Sequence, residues 1–203
     1  MKKLRFTILS TFSFCICFSV FANTELDSLE HNQTNTIVPF VSLSVEQING
    51  DNRTIIEKGF SAGITINNRV NLGVFSAWNS DDLSFESIGL PRQFKMKYIH
   101  GGVLTSYNHR ISKSSTLNFG TRVGQGSVRL FNTNGEMGIV KQSVYIMHPD
   151  IGFEINPFNQ IKVKFNVGYR MMSDLKLQGL VQGELAGFSY GVTVKIDLFK
   201  KPF

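Results

Sequence analysis

The stretch IKVKFNVGYRM, at residues 161–171, alternates strictly between two kinds of side chain. Its odd-numbered positions, from Ile161 to Met171, are apolar or aromatic, whereas its even-numbered positions are Lys, Lys, Asn, Gly and Arg. The stretch GFSYGVTVKIDL, at residues 187–198, repeats this pattern with the even positions apolar. Because successive side chains of a β-strand point to opposite faces, both stretches predict strands with one apolar and one polar face.

Six earlier segments show the same period of two, and together with these stretches they predict eight strands. No stretch after Ala22 reaches the roughly 18 apolar residues of a membrane helix, so we predict an all-β fold. In chain order, the apolar faces of the six segments are Val41, Leu43 and Val45; Phe60, Ala62, Ile64 and Ile66; Val70, Leu72, Val74 and Trp78; Ile99, Val103, Thr105 and Tyr107; Leu117, Phe119, Thr121 and Val123; and Tyr145, Met147, Ile151, Phe153 and Ile155.

The connections between the predicted strands alternate in length. Short polar turns are predicted at residues 67–69, 108–114 and 156–160, where Asn, Ser and Pro suit tight reversals. Long connections are predicted at residues 80–93, 126–141 and 172–186, and the shorter connection at 48–53 belongs to the same end by parity. This alternation predicts an eight-stranded antiparallel up-and-down barrel, closed by pairing the first strand with the last, and is typical of transmembrane barrels.

The N-terminal residues predict an export signal. A basic start with Lys2, Lys3 and Arg5 precedes an apolar run, and Val20 and Ala22 are the small residues of a cleavage site. We therefore expect a signal peptide at residues 1–22, a flexible N-terminal lead at residues 23–35 and a barrel domain at residues 36–203. An uncleaved membrane anchor is the alternative for the first segment.

Removal of the signal peptide changes the composition on which function classes depend. Both cysteines, Cys15 and Cys17, lie in the removed segment, so the mature chain has no disulfide, thiolate nucleophile or cysteine metal ligand. The net charge falls from +6 to +3, because three basic residues and no acidic ones are removed. With this small charge and no clustered basic face interleaved with aromatics, we expect no nucleic-acid partner.

The alternation alone is compatible with two kinds of barrel. A soluble barrel places its apolar faces inside, whereas a membrane barrel places them against lipid. The polar faces are rich in Gly, Ser, Asn and Thr with isolated charges of both signs, which suits a narrow lumen in which charges pair. This composition favours the membrane barrel, with Trp78, Tyr98, Tyr107, Tyr145, Tyr169 and Tyr190 expected as interfacial aromatics.

The last quarter of the chain resembles the small, uncharacterised outer-membrane β-barrel proteins of Gram-negative bacteria, of the eight-stranded type. The resemblance implies outer-membrane localisation, contact with outer-membrane lipid, and recognition of a terminal aromatic by the barrel-assembly machinery during biogenesis. The residues that carry it are Asn166-Val167-Gly168-Tyr169-Arg170, Asp174-Leu175, Leu180, Leu185, Gly187, Gly191-Val192-Thr193-Val194-Lys195 and the final Phe203.

Two groups of residues invite a chemical interpretation. His148, Asp150 and Glu154 share one strand face and could hold a metal, but a lumen ion-pair network with Lys162, Lys164, Arg170 or Lys195 explains them better. His100 and His109, with Ser106 or Ser112, suggest the serine and histidine pair of lipid A deacylases, yet the compact His-x-Ser arrangement is absent. The spaced glycines at residues 120–126 precede no helix, so they predict close strand packing and not a phosphate loop.

These observations predict a non-enzymatic integral outer-membrane protein, porin-like in fold, with no catalytic residues, no cofactor and no metal site. An eight-stranded barrel is filled by its own side chains, so we expect function in the long connections, through an unknown surface partner or in envelope integrity. The alternatives are a soluble periplasmic barrel that binds an apolar ligand inside, and a lipid-modifying barrel enzyme.

Overall fold

The computed structural model describes residues 36–50, 54–79, 83–86, 93–132, 140–158, 160–173 and 185–199. The predicted signal peptide at 1–22, the predicted lead at 23–35 and the terminal Phe203 lie outside these ranges. No helix in these ranges is long and apolar enough to cross a membrane.

Nine strands occur in the described ranges, and eight of them form a closed antiparallel barrel. The sheet order is β3-β2-β1-β9-β8-β7-β6-β5-β4, and pairing of β3 with β5 closes the cylinder. The predicted fold and the predicted pairing of the first strand with the last are therefore confirmed. The strands are β1 (Ile37–Asn49), β2 (Thr54–Ile66), β3 (Val70–Asn79), β4 (Leu83–Glu86), β5 (Gln93–Arg110), β6 (Ser115–Asn132), β7 (Val140–Ile155), β8 (Ile161–Met172) and β9 (Gly187–Asp197).

The strand register staggers by ten residues around the barrel. A row of directly paired residues starts at Ile37 of β1 and returns to the same strand at Gln47. Such a stagger requires strands that tilt strongly relative to the barrel axis. Between these two ends the row consists of Ile66, Val70, Tyr107, Phe119, Ile151, Val167 and Tyr190.

The apolar faces point outward. Val74 is 60% exposed and Val103, its partner on β5, is 61% exposed, while Asp150 and Glu154 of β7 and Lys162 and Arg170 of β8 are buried inside. All eight apolar faces predicted from the sequence lie on this outer wall. The arrangement reverses that of a soluble barrel, so the alternative that places these predicted apolar faces around an internal ligand is wrong for the described strands.

Turns of three to five residues join β2 to β3, β5 to β6 and β7 to β8 at one end of the barrel, here the short-turn end. Asn67 and Asn68 take left-handed backbone angles, with φ of 51° and 57°, and Asn tolerates this conformation well. The opposite end of the barrel, where β1 ends and β2 begins, is here the long-connection end.

Several predicted connections overlap strands, since residues 48–49 belong to β1, 108–110 to β5 and 172 to β8. Two others differ more extensively. Residues 126–132 and 140–141, predicted as part of a long connection, belong to β6 and β7. They are strand because β6 keeps pairing with β5 as far as Phe94 and Asn132, which satisfies the backbone of both. Within the predicted connection at 80–93, the four-residue strand β4 pairs with β5 beyond the end of β3. The third predicted connection, 172–186, lies largely outside the described ranges.

An apolar cluster fills the lumen at the long-connection end. Tyr98 belongs to it and is 1% exposed, so the prediction of an interfacial position for this tyrosine is wrong. Its even number places it on the inward face of β5, whereas Tyr107 faces outward. The cluster consists of Ile55, Met96, Tyr98, Val128, Val144, Ile146, Met172 and Leu185.

Candidate functional site

The polar lumen is the principal concentration of chemically reactive side chains in the described part of the chain. Between the apolar cluster and the short-turn end it contains a cavity of about 80 Å³, enough for a few water molecules. Acidic, basic and amide groups line this cavity, together with the rings of Phe40 and Phe75. Strand parity places these groups inside, because each occupies the face opposite the apolar wall.

At mid-height, Arg122 of β6 bonds to two groups on other strands. Its guanidinium donates to both carboxylate oxygens of Glu46 on β1, at 2.8 and 2.7 Å. The same Nη2 lies 2.8 Å from Nδ1 of His148 on β7. Asn166 of β8 also donates to Glu46, at 3.2 Å, so the carboxylate has three donor contacts from two strands.

Toward the short-turn end, lysines and carboxylates of β7, β8 and β9 pair with one another. Lys164 Nζ lies 2.9 Å from Asp150, and Lys162 Nζ lies 3.0 Å from Asp197. Glu154 is shared, at 3.9 Å from Lys162 and 3.7 Å from Lys195. Burial of these charges is tolerated because each one has a partner of opposite sign.

Next to the apolar cluster, Arg170 is fully buried and pairs with Glu57 of β2. Its Nε donates to the backbone oxygen of Leu185 at 2.6 Å, and its guanidinium carbon lies 5.3 Å from the centre of the Tyr98 ring. The His100 ring stacks at a tilt on Tyr98, with centres 4.8 Å apart, and its Nε2 lies 3.9 Å from Glu57.

The charges of the described lumen balance. Five carboxylates and five Lys or Arg side chains face inward, and each has a partner of opposite sign. A lumen with balanced, paired charges has no excess charge to attract an ionic substrate. The carboxylates are Glu46, Glu57, Asp150, Glu154 and Asp197, and the cations are Arg122, Lys162, Lys164, Arg170 and Lys195.

The predicted lumen ion-pair network is confirmed for Asp150 and Glu154, which pair with the predicted lysines. Arg170 differs, because its partner is Glu57 and not a carboxylate of β7. The candidates predicted from the sequence do not include Glu46 and Glu57, the partners of the two lumen arginines. Strand parity is the signal that identifies them, since each lies opposite the apolar face of its strand.

The proposed serine and histidine pairs are not brought together. His100 and Ser106 share a face of β5 but lie six residues apart, roughly 20 Å along the strand. His109 is exposed near the β5–β6 turn, where the Ser112 hydroxyl bonds to that of Ser115 at 2.7 Å.

One serine and one histidine do meet in the lumen. His148 Nε2 lies 2.6 Å from Ser189 Oγ, and both residues are buried. Because the Arg122 guanidinium can only donate, Nδ1 of His148 must accept, and Nε2 then carries the hydrogen and donates to Ser189. A histidine in this tautomer cannot remove the serine proton, so the pair lacks the arrangement of an activated nucleophile.

The remaining candidates also have structural roles. His148, Asp150 and Glu154 are held by separate partners, and the described residues contain no group of three His, Cys, Asp or Glu side chains suited to a metal ion. The spaced glycines at residues 120–126 lie within β6, where they face neighbouring strands closely.

Comparison with solved structures identifies the same architecture in outer-membrane proteins. Neisserial surface protein A matches with a TM-score of 0.57 at 11% identity, over 82% of this chain and 100% of its own. The N-terminal β-barrel domain of Pseudomonas aeruginosa OprF matches with a TM-score of 0.50 at 11% identity, over 81% and 100%. Ail, the attachment invasion locus protein of Yersinia pestis, matches with a TM-score of 0.50 at 12% identity, over 81% and 99%.

No protein-family model matches the chain, and no curated protein matches it. The structural likeness therefore establishes the fold, which is the eight-stranded antiparallel barrel of small outer-membrane proteins.

Proposed function

We propose that the chain is a non-enzymatic integral outer-membrane protein whose long connections act in surface interaction or envelope integrity. The observation that carries the proposal is an apolar outer wall around a paired, polar lumen. Exposed apolar side chains on every strand of a barrel cost free energy in water, and lipid removes that cost.

The height of the wall suits a membrane. On β8 the outward residues run from Ile161 to Met171, a rise of ten residues. At about 3.3 Å per residue and a tilt of roughly 40°, this rise covers about 25 Å, the height of the apolar band of outer-membrane barrels.

The filled lumen favours a function at the surface of the barrel and not transport through it. The apolar cluster fills the long-connection end, and paired charges occupy the remainder, so no wide passage crosses the described interior. The long connections then offer the surface available for a partner. The proposal includes envelope integrity beside surface interaction, because a small barrel with a filled lumen can support the envelope without transporting a substrate.

The proposal also covers how the chain is exported and inserted into the membrane. Residues 1–22 act as a signal peptide removed on export, residues 23–35 form a lead, and residues 36–203 form the barrel domain that the barrel-assembly machinery inserts. N-terminal sequencing of the mature protein should begin at Asn23. Deletion of Phe203 should lower the amount of heat-modifiable barrel if this terminal aromatic is read during assembly.

Fractionation of cells tests the membrane assignment. The protein should stay with the outer-membrane fraction, dissolve only with detergent, and migrate differently on a gel before and after boiling. Recovery in a detergent-free periplasmic extract, with no heat-dependent shift, contradicts the proposal.

An acyl-release assay on envelope lipids tests the absence of catalysis. The wild type and the variants His100→Ala, His109→Ala and His148→Ala should all match a vector control. Release by the wild type that any of these substitutions abolishes would establish the lipid-modifying alternative.

A further inference from the structure

Acidic and basic side chains are distributed differently between the inside and the outside of the barrel. Every acidic side chain that the structure describes is buried in the lumen. Six Lys or Arg side chains of the described ranges, in contrast, are exposed outside the lumen. Lys58, Lys97 and Arg129 lie toward the long-connection end, and Arg69, Arg110 and Lys113 lie at the short-turn end.

Among the described residues, three cations at the short-turn end form one patch, here the basic turn patch (Arg69, Arg110 and Lys113). Arg69 lies in the β2–β3 turn, and the other two lie at the β5–β6 turn. The turns are neighbours because β3 pairs with β5, and the backbone N–H of Asn108 donates to the carbonyl of Arg69 at 2.6 Å.

The described residues offer this patch no carboxylate. A polar contact made by one of its side chains is internal to the turn, from Arg110 Nε to the Ser112 carbonyl at 3.1 Å. The lumen cations of the same barrel, such as Lys162 and Arg122, are each paired with an acid. The basic turn patch therefore presents a concentrated positive charge to whatever borders this end of the barrel.

The patch lies where the apolar wall ends. Val70 and Tyr107, directly paired, belong to the outward row adjoining these two turns. Ile111, next to Arg110, is 58% exposed at the start of the β5–β6 turn. Cations placed just beyond an apolar wall, with an apolar side chain among them, match the junction between lipid chains and headgroups.

We propose that the basic turn patch binds the phosphate-bearing headgroups of anionic phospholipids in the leaflet that borders the short-turn end. The inference rests on the proposed membrane function. The guanidinium groups of Arg69 and Arg110 can each bind two phosphate oxygens, and the Lys113 ammonium adds charge. Ile111 enters the adjoining acyl region and keeps the patch at headgroup depth.

A site-specific label tests the inference. The barrel is refolded with a fluorophore on Ser114→Cys, in vesicles of phosphatidylcholine alone or mixed with phosphatidylglycerol. Quenching by headgroup-labelled phosphatidylglycerol is compared with quenching by equally labelled phosphatidylcholine. Each basic residue near an anionic surface contributes about a fivefold preference, so we expect at least about fivefold stronger quenching by phosphatidylglycerol.

Matched variants assign the preference to the patch. The triple substitution Arg69→Gln, Arg110→Gln and Lys113→Gln should reduce it to near equality. The variant with Lys58→Gln, Lys97→Gln and Arg129→Gln loses the same charge at the opposite end, so it should keep the preference. Equal quenching by the two lipids in the wild type, or a preference that survives the triple substitution, overturns the inference.

Two further readouts are needed. The first distinguishes binding of a lipid headgroup from binding of free phosphate, and the second distinguishes a failure of lipid preference from a failure of membrane insertion. Inorganic phosphate should weaken the preference no more than chloride at the same ionic strength; stronger competition by free phosphate overturns the lipid assignment. Insertion into phosphatidylcholine alone, measured by the heat-dependent gel shift, tests the membrane function separately. A barrel that fails to insert contradicts the proposed function, whereas one that inserts without lipid preference contradicts this inference alone.

Discussion

Arg122 of β6 is bonded across the lumen to Glu46 of β1, with its Nη2 at 2.8 and 2.7 Å from the two carboxylate oxygens. These strands are not neighbours in the sheet and the residues lie 76 positions apart in the chain. The pair therefore ties opposite walls of the barrel together. It complements the backbone ladder, which connects only adjacent strands.

Removal of one member of this pair should destabilise the barrel. Glu46→Gln keeps the shape of the side chain but leaves the buried Arg122 charge without its carboxylate, so we expect a loss of about 3 kcal/mol in the free energy of unfolding. Urea titration of the protein in vesicles measures the change. The double variant with Arg122→Gln should lose less than the sum of the two single variants. Additive losses would show that the two side chains act independently.

An outward cation in the middle of the wall should hinder insertion. Val74 lies on the outer wall opposite Val103, so Val74→Arg places a charge against lipid chains and should cost about 2–4 kcal/mol. Ser143→Arg is the control, because Ser143 is exposed near the long-connection end and should cost about 1 kcal/mol or less. Refolding into vesicles, followed by the gel shift, compares the two. Equal costs would contradict the placement of the wall in lipid.

A methyl group on Gly102 should strain the barrel. Gly102 faces Gly124 across β5 and β6, and a Cβ built on Gly102 collides with the Val123 carbonyl and the Gly124 backbone. Gly102→Ala should therefore cost about 1–3 kcal/mol, because a backbone has to move. At Gly120 the nearest atom is a carboxylate oxygen of Asp150 at 3.1 Å, so Gly120→Ala should cost less. Urea midpoints that rank the two variants in the opposite order would contradict a steric origin of the strain.

The hydroxyl of Tyr98 should contribute nothing to stability. It is buried and finds no hydrogen-bond partner among the residues that the structure describes, so Tyr98→Phe should leave the unfolding midpoint unchanged or raise it. Tyr98→Ala should cost about 3–5 kcal/mol, because the ring packs in the apolar cluster and against Arg170. Marked destabilisation by Tyr98→Phe would reveal a partner for the hydroxyl.

Predictions from the sequence succeed wherever a short segment shows clear alternation of apolar and polar residues, because that alternation identifies the two faces of the strand. The alternation in β8 and β9 identifies their faces, and the same parity assigns Lys162 and Asp197 to the lumen, where they pair at 3.0 Å. Such predictions fail where alternation is short or changes character. Residues 126–132 resemble a connection because the polar face of β6 becomes apolar at Val128, inside the apolar cluster. Tyr98 is misplaced for the same reason.

The sequence by itself determines the eight strands of the barrel, the apolar face of each and the end that carries the short turns, because these depend on a local backbone period of two and on turn chemistry. Only the tertiary structure decides that the apolar faces point outward and that Arg122 meets Glu46 while Arg170 meets Glu57. Contacts across the lumen depend on the total stagger of ten residues, which accumulates over every strand pair. A single segment of sequence cannot encode that sum, since each register is set only when the neighbouring strands pair and the barrel closes.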